Sequence, residues 1–521
     1  MSLADWFLTA PERDNPHTRI DDGHPGEEAW STGSSVRPIV HGRPYFAELH
    51  ERISALGPGD RLYFADWRGD PDEQLTDDPS STVSATLVAA AERGADVRGL
   101  LWRSHWRHFG YHSEKARYLG EDLQEAGGEC LRDMRVRTFG AHHQKLVVIR
   151  YAADSGRDVA YVGGIDLCHS RRDDLAHEGD PQVLPIAAAY GPTPAWHDVH
   201  LAIRGPAVHD VETTFRERWE DSAPLTANPA RRLSSLLQRE DQRPDALGEQ
   251  APPPPPAGPC AVQVLRTYPR IRPIGFDFAV EGERSIALGN AKAIARAEQF
   301  VYVEDQYLWS EEVGRHFAGA LRAAPDLRLA VVLPMVPDEE GVAEVVQLYG
   351  RTLALDLILA AGGDRVAVFG LSNRAGRPIY VHSKVCIIDD RWASVGSDNL
   401  NRRSWSSDSE ISCAVVDDGP VDEDPFPVAL RRELVAEHLG VPPDEVPTDG
   451  PAIFEAMVAS AAALDAWFDD NGRGERPPGQ LRRLARPSLT PTQRRWAAVL
   501  YDTVFDPDGG LGRESSLGPA V

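Results

Sequence analysis

The sequence carries one short pattern twice, and these two copies constrain the fold more than any other feature. Each copy has a histidine, a lysine two residues later, a four-residue apolar run and a turn of small residues. The copies consist of His143, Lys145, 146–149 and 163–164, and of His382, Lys384, 385–388 and 396–397. Only four of the 55 basic residues are lysines, and two of these lie in this pattern. Because a lysine ammonium is more compact than a guanidinium, the pattern indicates a site that needs a small cation beside an imidazole.

The segments upstream of the two copies predict an internal duplication. LYFAD (62–66) resembles VYVED (301–305), and each tyrosine lies 80 residues before the histidine of its copy. Strand-like segments, such as 196–203 and 300–304, alternate with helix-like segments, such as 311–322, through the two halves, which is typical of sheets covered by helices. We therefore predict an α/β fold with two pseudo-repeated α/β/α lobes, mixed and largely parallel sheets, and a helical C-terminal extension.

A proline-rich tract divides the two halves. Five consecutive prolines at 252–256 cannot continue a helix or a central strand, so the tract 243–259 is predicted to be a linker. The remaining predicted units are an irregular N-terminal segment (1–35), a first lobe (36–242), a second lobe (260–420) and a helical extension (421–521). The extension is predicted to pack as an appendage. Both ends of the chain, to about residue 30 and from about 508, are predicted to be loose.

The composition limits the range of possible binding partners and cellular compartments. A formal net charge of −25 repels phosphate backbones, so we expect no nucleic-acid partner and at most peripheral contact with a membrane. Five scattered cysteines argue against a disulfide framework or a zinc site and fit a reducing compartment. We see no signal peptide and no apolar stretch of the length a spanning helix needs, so we expect a cytoplasmic protein, as a monomer.

The repeated pattern suits phosphodiester chemistry. On a strand, residues two apart project to one face, so each copy presents an imidazole beside an ammonium. With both copies facing one phosphate, one histidine can attack phosphorus, while the other protonates the leaving oxygen and then activates water or an alcohol. The two lysines would hold the non-bridging oxygens. Each histidine also needs an orienting carboxylate, and we predict Asp198 for His143 and Glu410 for His382.

Several segments resemble the phospholipase D superfamily. HSKVCIIDD (382–390) with GSDN (396–399) matches its HxKxxxxD…GSxN signature, known as the HKD motif, and HHQKLVVI (142–149) resembles the first such motif. The segments 196–219, 262–269 and 301–308 resemble further stretches of phospholipases D. The resemblance implies two lobes that meet at one site, a covalent phosphohistidine intermediate, and neither metal nor cofactor.

The same resemblance implies roles for individual residues. His143 would be the nucleophile and His382 the general acid and base. Asp166 and Asn399 would line the phosphate site, and Asp389 would be structural. The first motif departs from the family pattern, because Arg150 stands where an aspartate is expected; Asp154 or Asp158 could replace that aspartate.

The predicted function is that of a phospholipase D, which releases phospholipid headgroups by hydrolysis and can transfer the phosphatidyl group to an alcohol. Three alternatives stay open. They are a phosphatidyltransferase of the cardiolipin or phosphatidylserine synthase type, a nuclease of the same superfamily, which the acidic charge disfavours, and a non-catalytic lipid- or protein-binding descendant.

Overall fold

The first half of the chain alternates between strands and helices. The structure, a computed structural model, describes residues 2–104, 111–226, 228–237, 243–272, 274–417 and 424–507. Strands of the first half are β1 (Ser31–Val40), β2 (Arg61–Asp66), β3 (Asp96–Trp102), β4 (Glu129–Asp133), β5 (Leu146–Arg150), β6 (Val159–Gly163), β7 (Ala195–His197) and β8 (Val199–Arg204). Its helices are α1 (Ala10–Arg13), α2 (Gly42–Ser54), α3 (Val83–Glu92), α4 (Tyr111–Glu125), α5 (Ala207–Glu220) and α6 (Pro229–Leu237).

The second half repeats this alternation and ends in a helical extension. Its strands are β9 (Cys260–Tyr268), β10 (Glu283–Arg284), β11 (Phe300–Glu304), β12 (Arg328–Val332), β13 (Val366–Ser372), β14 (Pro378–Val381), β15 (Val385–Ile388), β16 (Trp392–Gly396) and β17 (Glu410–Asp417), with β18 (Leu481–Arg483) in the extension. Its helices are α7 (Ser285–Ile294), α8 (Glu311–Ala323), α9 (Val342–Gly362) and α10 (Arg402–Ser406), followed by α11 (Phe426–Leu439), α12 (Gly450–Asp469) and α13 (Pro491–Leu500).

Each half builds its own sheet, and the two sheets have equivalent strand orders, which confirms the predicted pseudo-repeat. The strand order is β1–β8–β6–β5–β2–β3–β4 in the first sheet and β9–β17–β16–β15–β11–β12–β13 in the second. In both sheets, the first four neighbouring pairs are antiparallel and the last two are parallel. The parallel share is therefore smaller than predicted, because short connections such as the one from β15 to β16 can join only antiparallel neighbours.

Helices cover both sheets, as an α/β/α arrangement requires. The outer face of the first sheet packs on α2, α3 and α4, and the outer face of the second packs on α7, α8 and α9. The inner faces of both sheets share one core with α5, α11 and α12. Strand β1 pairs with β9, and β7 pairs with β14, so the lobes are also joined by backbone hydrogen bonds.

The N-terminal segment is packed, so the prediction of a loose end was wrong. Trp6, Phe7 and Leu8 are buried against the outer core of the second sheet, and the buried Arg13 guanidinium donates to Glu283 at 3.0 Å. Few apolar residues, spaced among Gly, Pro and Asp, are enough to anchor the segment. The proline-rich tract 243–259 forms no helix or strand, as predicted.

The C-terminal extension is helical, as predicted, but it also adds β18 beside β13 and sends α11 into the space between the lobes. The predicted boundary after residue 420 and the end from 508 lie outside the described residues. Two helices, over 342–365 and 450–469, are long and apolar enough to cross a membrane, although the sequence prediction found none. They are weak evidence for a membrane segment, because a core helix of a soluble protein passes the same test.

Candidate active site

The two histidine–lysine pairs lie in extended segments immediately before β5 and β15, rather than within the strands as predicted. In each pair, the lysine ammonium returns to the carbonyl oxygen of its own histidine; Lys145 Nζ lies 3.0 Å from His143 O, and Lys384 makes the same contact with His382. Each buried strand thus fixes one ammonium beside one imidazole at its start.

Each histidine is oriented by a carboxylate from the opposite half of the chain. His143 Nδ1 lies 2.9 Å from Glu410, and His382 Nδ1 lies 2.7 Å from Asp198. The predicted pairing, in which each carboxylate followed its own histidine along the chain, was therefore wrong. Backbone hydrogen bonds also join the two halves here, because the His143 amide donates to Ser409 O and the His382 amide donates to His197 O. The two copies of the pattern form one site.

Glu410 is held by hydroxyl groups on both oxygens. Ser397 Oγ donates at 2.5 Å and Ser404 Oγ at 2.8 Å. Burial, together with the charge of Asp408, raises the pKa of Glu410, while Ser397, Lys145 and Ser404 oppose this shift and stabilise the carboxylate. Burial and the ammonium groups of Lys145 and Lys384 lower the pKa of His143 well below its ordinary value. The ring is therefore neutral near pH 7, and a proton on Nδ1 leaves the Nε2 lone pair free.

The other imidazole has a similar environment. Asp198 Oδ1 accepts from the Val199 amide at 2.9 Å, so the oxygen that faces His382 is fixed. Burial, Lys384 and Arg171 lower the pKa of His382 well below its ordinary value. The His382 side chain is 6% exposed, whereas the His143 side chain is 15% exposed.

Lys145 is neutralised by acidic residues of the first lobe. Its Nζ lies 3.1 Å from Asp166 Oδ1, and Arg171 also contacts Asp166, at 3.3 Å. Although burial alone would raise it, Lys145 and Arg171 hold the pKa of Asp166 below its ordinary value. Burial and the charge of Asp166 raise the pKa of Asp66. Asp166 was predicted to line the phosphate site; in the structure it is the counter-ion of Lys145.

Lys384 contacts a neutral amide where Lys145 contacts a carboxylate. Its ammonium donates to Gln306 Oε1 at 3.2 Å, and Gln306 is fixed in turn by the Tyr380 hydroxyl at 2.7 Å. Burial lowers the pKa of Lys384 to about 8, despite the attraction of Asp198. Asn399, the other predicted phosphate residue, is buried, and its Oδ1 makes no hydrogen bond with the residues that the structure describes.

Asp389, predicted to be structural, lies beside the backbone at the start of β11. Its carboxylate accepts from the backbone amides of Glu298, Gln299 and Phe300 at 2.7–2.8 Å, which fixes the start of β11.

Arg150, which replaces the corresponding aspartate in the first motif, works differently. Its guanidinium contacts Asp158 and Glu212 and donates to the carbonyls of Ala251 and Pro252. It joins β5 to α5 and to the linker. Asp158 pairs with the Arg150 guanidinium, and Asp154 accepts from the Gly156 amide. Neither carboxylate therefore fixes the start of a neighbouring strand as Asp389 fixes the start of β11.

Aromatic rings flank both imidazoles. Trp67 lies edge-on to His143 with ring centroids 6.2 Å apart, and Lys145 lies 5.9 Å from the Trp67 ring. Trp196 lies 5.0 Å from His382 and stacks on Arg171 at 3.9 Å. Trp67, Arg171, Gln306 and the two serines on Glu410 were not assigned from the sequence. Asp66 ends the first of the two repeated segments and Gln306 directly follows the second, so that repeat was the signal available for them.

The fold and the site define a two-lobed α/β protein whose repeated halves share one histidine–lysine centre. A family model described as phospholipase D matches residues 113–315, and one described as cardiolipin synthase, PLD-like domain, matches residues 292–423. The chain belongs to the phospholipase D superfamily.

Curated relatives include phospholipases D of plants. Phospholipase D alpha 1 of Vigna unguiculata is 28% identical over an alignment of 426 positions, which covers 60% of this chain and 51% of the relative. Phospholipase D alpha 4 of Arabidopsis thaliana is 25% identical over an alignment of 500 positions, which covers 76% of this chain and 64% of the relative. The chain thus spans about half to two thirds of the length of these relatives.

A solved structure supports the fold. Phosphatidylserine synthase of Haemophilus influenzae covers 84% of this chain with a TM-score of 0.51, and 95% of that chain is matched. Its sequence identity of 12% bears on architecture alone.

Proposed function

We propose that this chain is a phosphodiesterase that cleaves phospholipid headgroups through a phosphohistidine intermediate. The observation that carries the proposal is the crossed pairing, in which His143 meets Glu410 and His382 meets Asp198. Each imidazole has its Nδ1 occupied by a carboxylate, so that two Nε2 atoms are available to one phosphate, one as nucleophile and one as acid and base.

In the first step, His143 Nε2 attacks phosphorus and the bond to the headgroup oxygen breaks. His382 Nε2, protonated when the anionic substrate is bound, gives its proton to that oxygen. In the second step, neutral His382 takes a proton from water, the hydroxide oxygen bonds to phosphorus, and the phosphorus–nitrogen bond breaks. The greater exposure of His143 supports its role as the nucleophile.

The lysines supply positive charge to the non-bridging oxygens. Lys145 is already paired with Asp166, whereas Lys384 faces a neutral amide. Lys384 is therefore the stronger phosphate ligand in this proposal, and Lys145 balances charge as it develops. Asn399 can turn its amide toward the phosphate, because its Oδ1 is not engaged by the described residues.

Phospholipid as substrate is supported by the names of the relatives, and transfer to an alcohol is the second candidate. The match of residues 292–423 to a cardiolipin synthase-type model supports transfer. We further propose that the protein works in the cytoplasm, as a monomer, and contacts membranes only peripherally.

Three substrates test the proposal. Purified protein is incubated with phosphatidylcholine vesicles, with the same vesicles plus ethanol, and with supercoiled plasmid. We expect choline and phosphatidic acid in the first assay and none from the His143→Asn variant. Phosphatidylethanol in excess over phosphatidic acid would favour the transferase, whereas plasmid nicking without choline release would contradict the proposal.

A further inference from the structure

A second cluster of titratable side chains lies buried behind the active site. It consists of His41 at the start of α2, His177 in the loop between β6 and β7, His197 at the end of β7, and Glu437 on α11. One donor atom from each of these four residues lies within 4.8 Å of the other three. All four residues are at most 9% exposed.

The side-chain nitrogen and oxygen atoms of this cluster are spaced like the ligands of one metal ion. Glu437 lies 3.0 Å from His41 Nε2 and 2.9 Å from His177 Nε2. His197 Nδ1 lies 3.3 Å from Glu437, but the pair does not have hydrogen-bond geometry, and this nitrogen has no partner among the described residues. Two ligands of one tetrahedral Zn²⁺ ion stand roughly 3.3–3.4 Å apart, since each bond is about 2.0–2.1 Å long.

The opposite nitrogens of two of the three imidazoles face a carboxylate, whereas His41 Nδ1 has no hydrogen-bond partner among the described residues. His197 Nε2 lies 2.8 Å from Glu304, and His177 Nδ1 lies 3.5 Å from Asp173. A carboxylate on the far nitrogen fixes the tautomer that turns the lone pair of the near nitrogen toward the ion. His197 would therefore bind through Nδ1, and His177 through Nε2.

We propose that His41, His177, His197 and Glu437 bind one zinc-class divalent ion in a structural site. Three imidazoles and one carboxylate fill four coordination positions, which is typical of a closed site rather than a catalytic one. This ion takes no part in phosphodiester cleavage. The sequence prediction of no zinc site rested on the cysteines, and no cysteine belongs to this cluster.

The proposed ion would lie beside backbone segments that carry active-site residues. The His41 amide donates to Asp198 O, and the His382 amide donates to His197 O, both at 2.8 Å. The ion would therefore fix the backbone that carries Asp198 and His382, and through Glu437 it would tie the helical extension to the first lobe. The extension would then be part of the support of the active site rather than an appendage.

Metal content tests the site without reference to activity. Full-length protein is purified without a metal-affinity step and analysed by mass spectrometry for metals, then stripped with a chelator and titrated with Zn²⁺ or Co²⁺. We expect about one ion per chain, one equivalent of binding on titration, tetrahedral Co²⁺ absorption bands, and a higher Tm with the ion than without it. Wild-type protein that neither contains nor binds an ion would show that the cluster is a network of protonated imidazoles and carboxylates.

Variants locate the ion. Glu437→Gln and His41→Ala should each lose it, whereas His209→Asn, which alters a half-buried histidine on α5, should keep it. His438 contacts Glu304 at 2.8 Å but lies outside the four ligands. Loss of the ion in His438→Asn with retention in His41→Ala would place it on His197, Glu304 and His438 and overturn the proposed ligand set.

Discussion

Replacement of Glu410 by glutamine should slow the attack of His143 selectively. In the wild-type protein, the carboxylate accepts the Nδ1 proton and leaves Nε2 unprotonated. A glutamine amide can donate to Nδ1 instead, which stabilises the tautomer with the proton on Nε2. That tautomer has no lone pair with which to attack phosphorus.

The size of the effect follows from the contacts. A hydrogen bond to a charged group contributes about 1.5–3 kcal/mol, which corresponds to a loss of about 10- to 150-fold. Enforcing the wrong tautomer can extend the loss to about 10⁴-fold. The fold should survive, because Ser397 and Ser404 can bond an amide as well as a carboxylate.

A phospholipid with a p-nitrophenyl leaving group separates the two steps. Such a leaving group needs no proton, so Asp198→Asn should still release a burst of one nitrophenolate per site and then turn over slowly. Glu410→Gln should release nitrophenolate slowly and without a burst. Rapid-quench measurements with both variants, supported by their Tm values, record the pattern.

The opposite pattern would refute this assignment. A burst in Glu410→Gln and none in Asp198→Asn would make His382 the nucleophile. Trapped phosphohistidine that persists in His143→Asn but not in His382→Asn would lead to the same conclusion.

Three further predictions concern charge and space around the site. Because the Lys384 ammonium loses its proton as pH rises through its pKa of about 8, kcat/KM should fall above pH 8, and Lys384→Arg should move this limb to higher pH in a pH–rate profile. Arg150→Met leaves the buried Asp158 carboxylate without its cation, while Glu212 keeps Arg216, and should lower the free energy of unfolding by about 3–5 kcal/mol in a denaturant titration. A Cβ on Gly164 would lie 2.0 Å from Asp198 Oδ1, so Gly164→Ala should cut kcat about 10²-fold, whereas Gly57→Ala, which meets nothing within 4 Å, should leave kcat unchanged.

Local patterns predicted the elements of this fold well. The strand predicted at 300–304 is β11 to the residue, and the helix predicted at 311–322 differs from α8 at one residue. These segments have strong periodicity and clear ends. The strand predicted from Trp196 is instead broken at Asp198, because β7 pairs with β14 of the second lobe while β8 pairs with β1 of the first. Only the docked lobes impose that break.

The limits of prediction at the site have the same origin. The histidines and lysines were identifiable because their spacing is local and repeated. The pairing of Glu410 with His143 was not, because it depends on how the second sheet meets the first. Likewise, Glu437 carries no local signal; it is one charge on a helix until α11 enters the space between the lobes.

The crossed pairing makes neither half of the chain catalytically complete. The first lobe supplies the nucleophile His143 together with Asp198, which orients His382. The second lobe supplies the acid His382 together with Glu410, which orients His143. A small separation of the lobes would therefore break both Nδ1 contacts at once, since His143–Glu410 and His382–Asp198 both span the interface. The same interface is crossed by the β7–β14 pairing and by the cluster around Glu437. Rigid docking of the lobes is thus a requirement of the chemistry, and the buried network behind Asp198 is where the chain provides it.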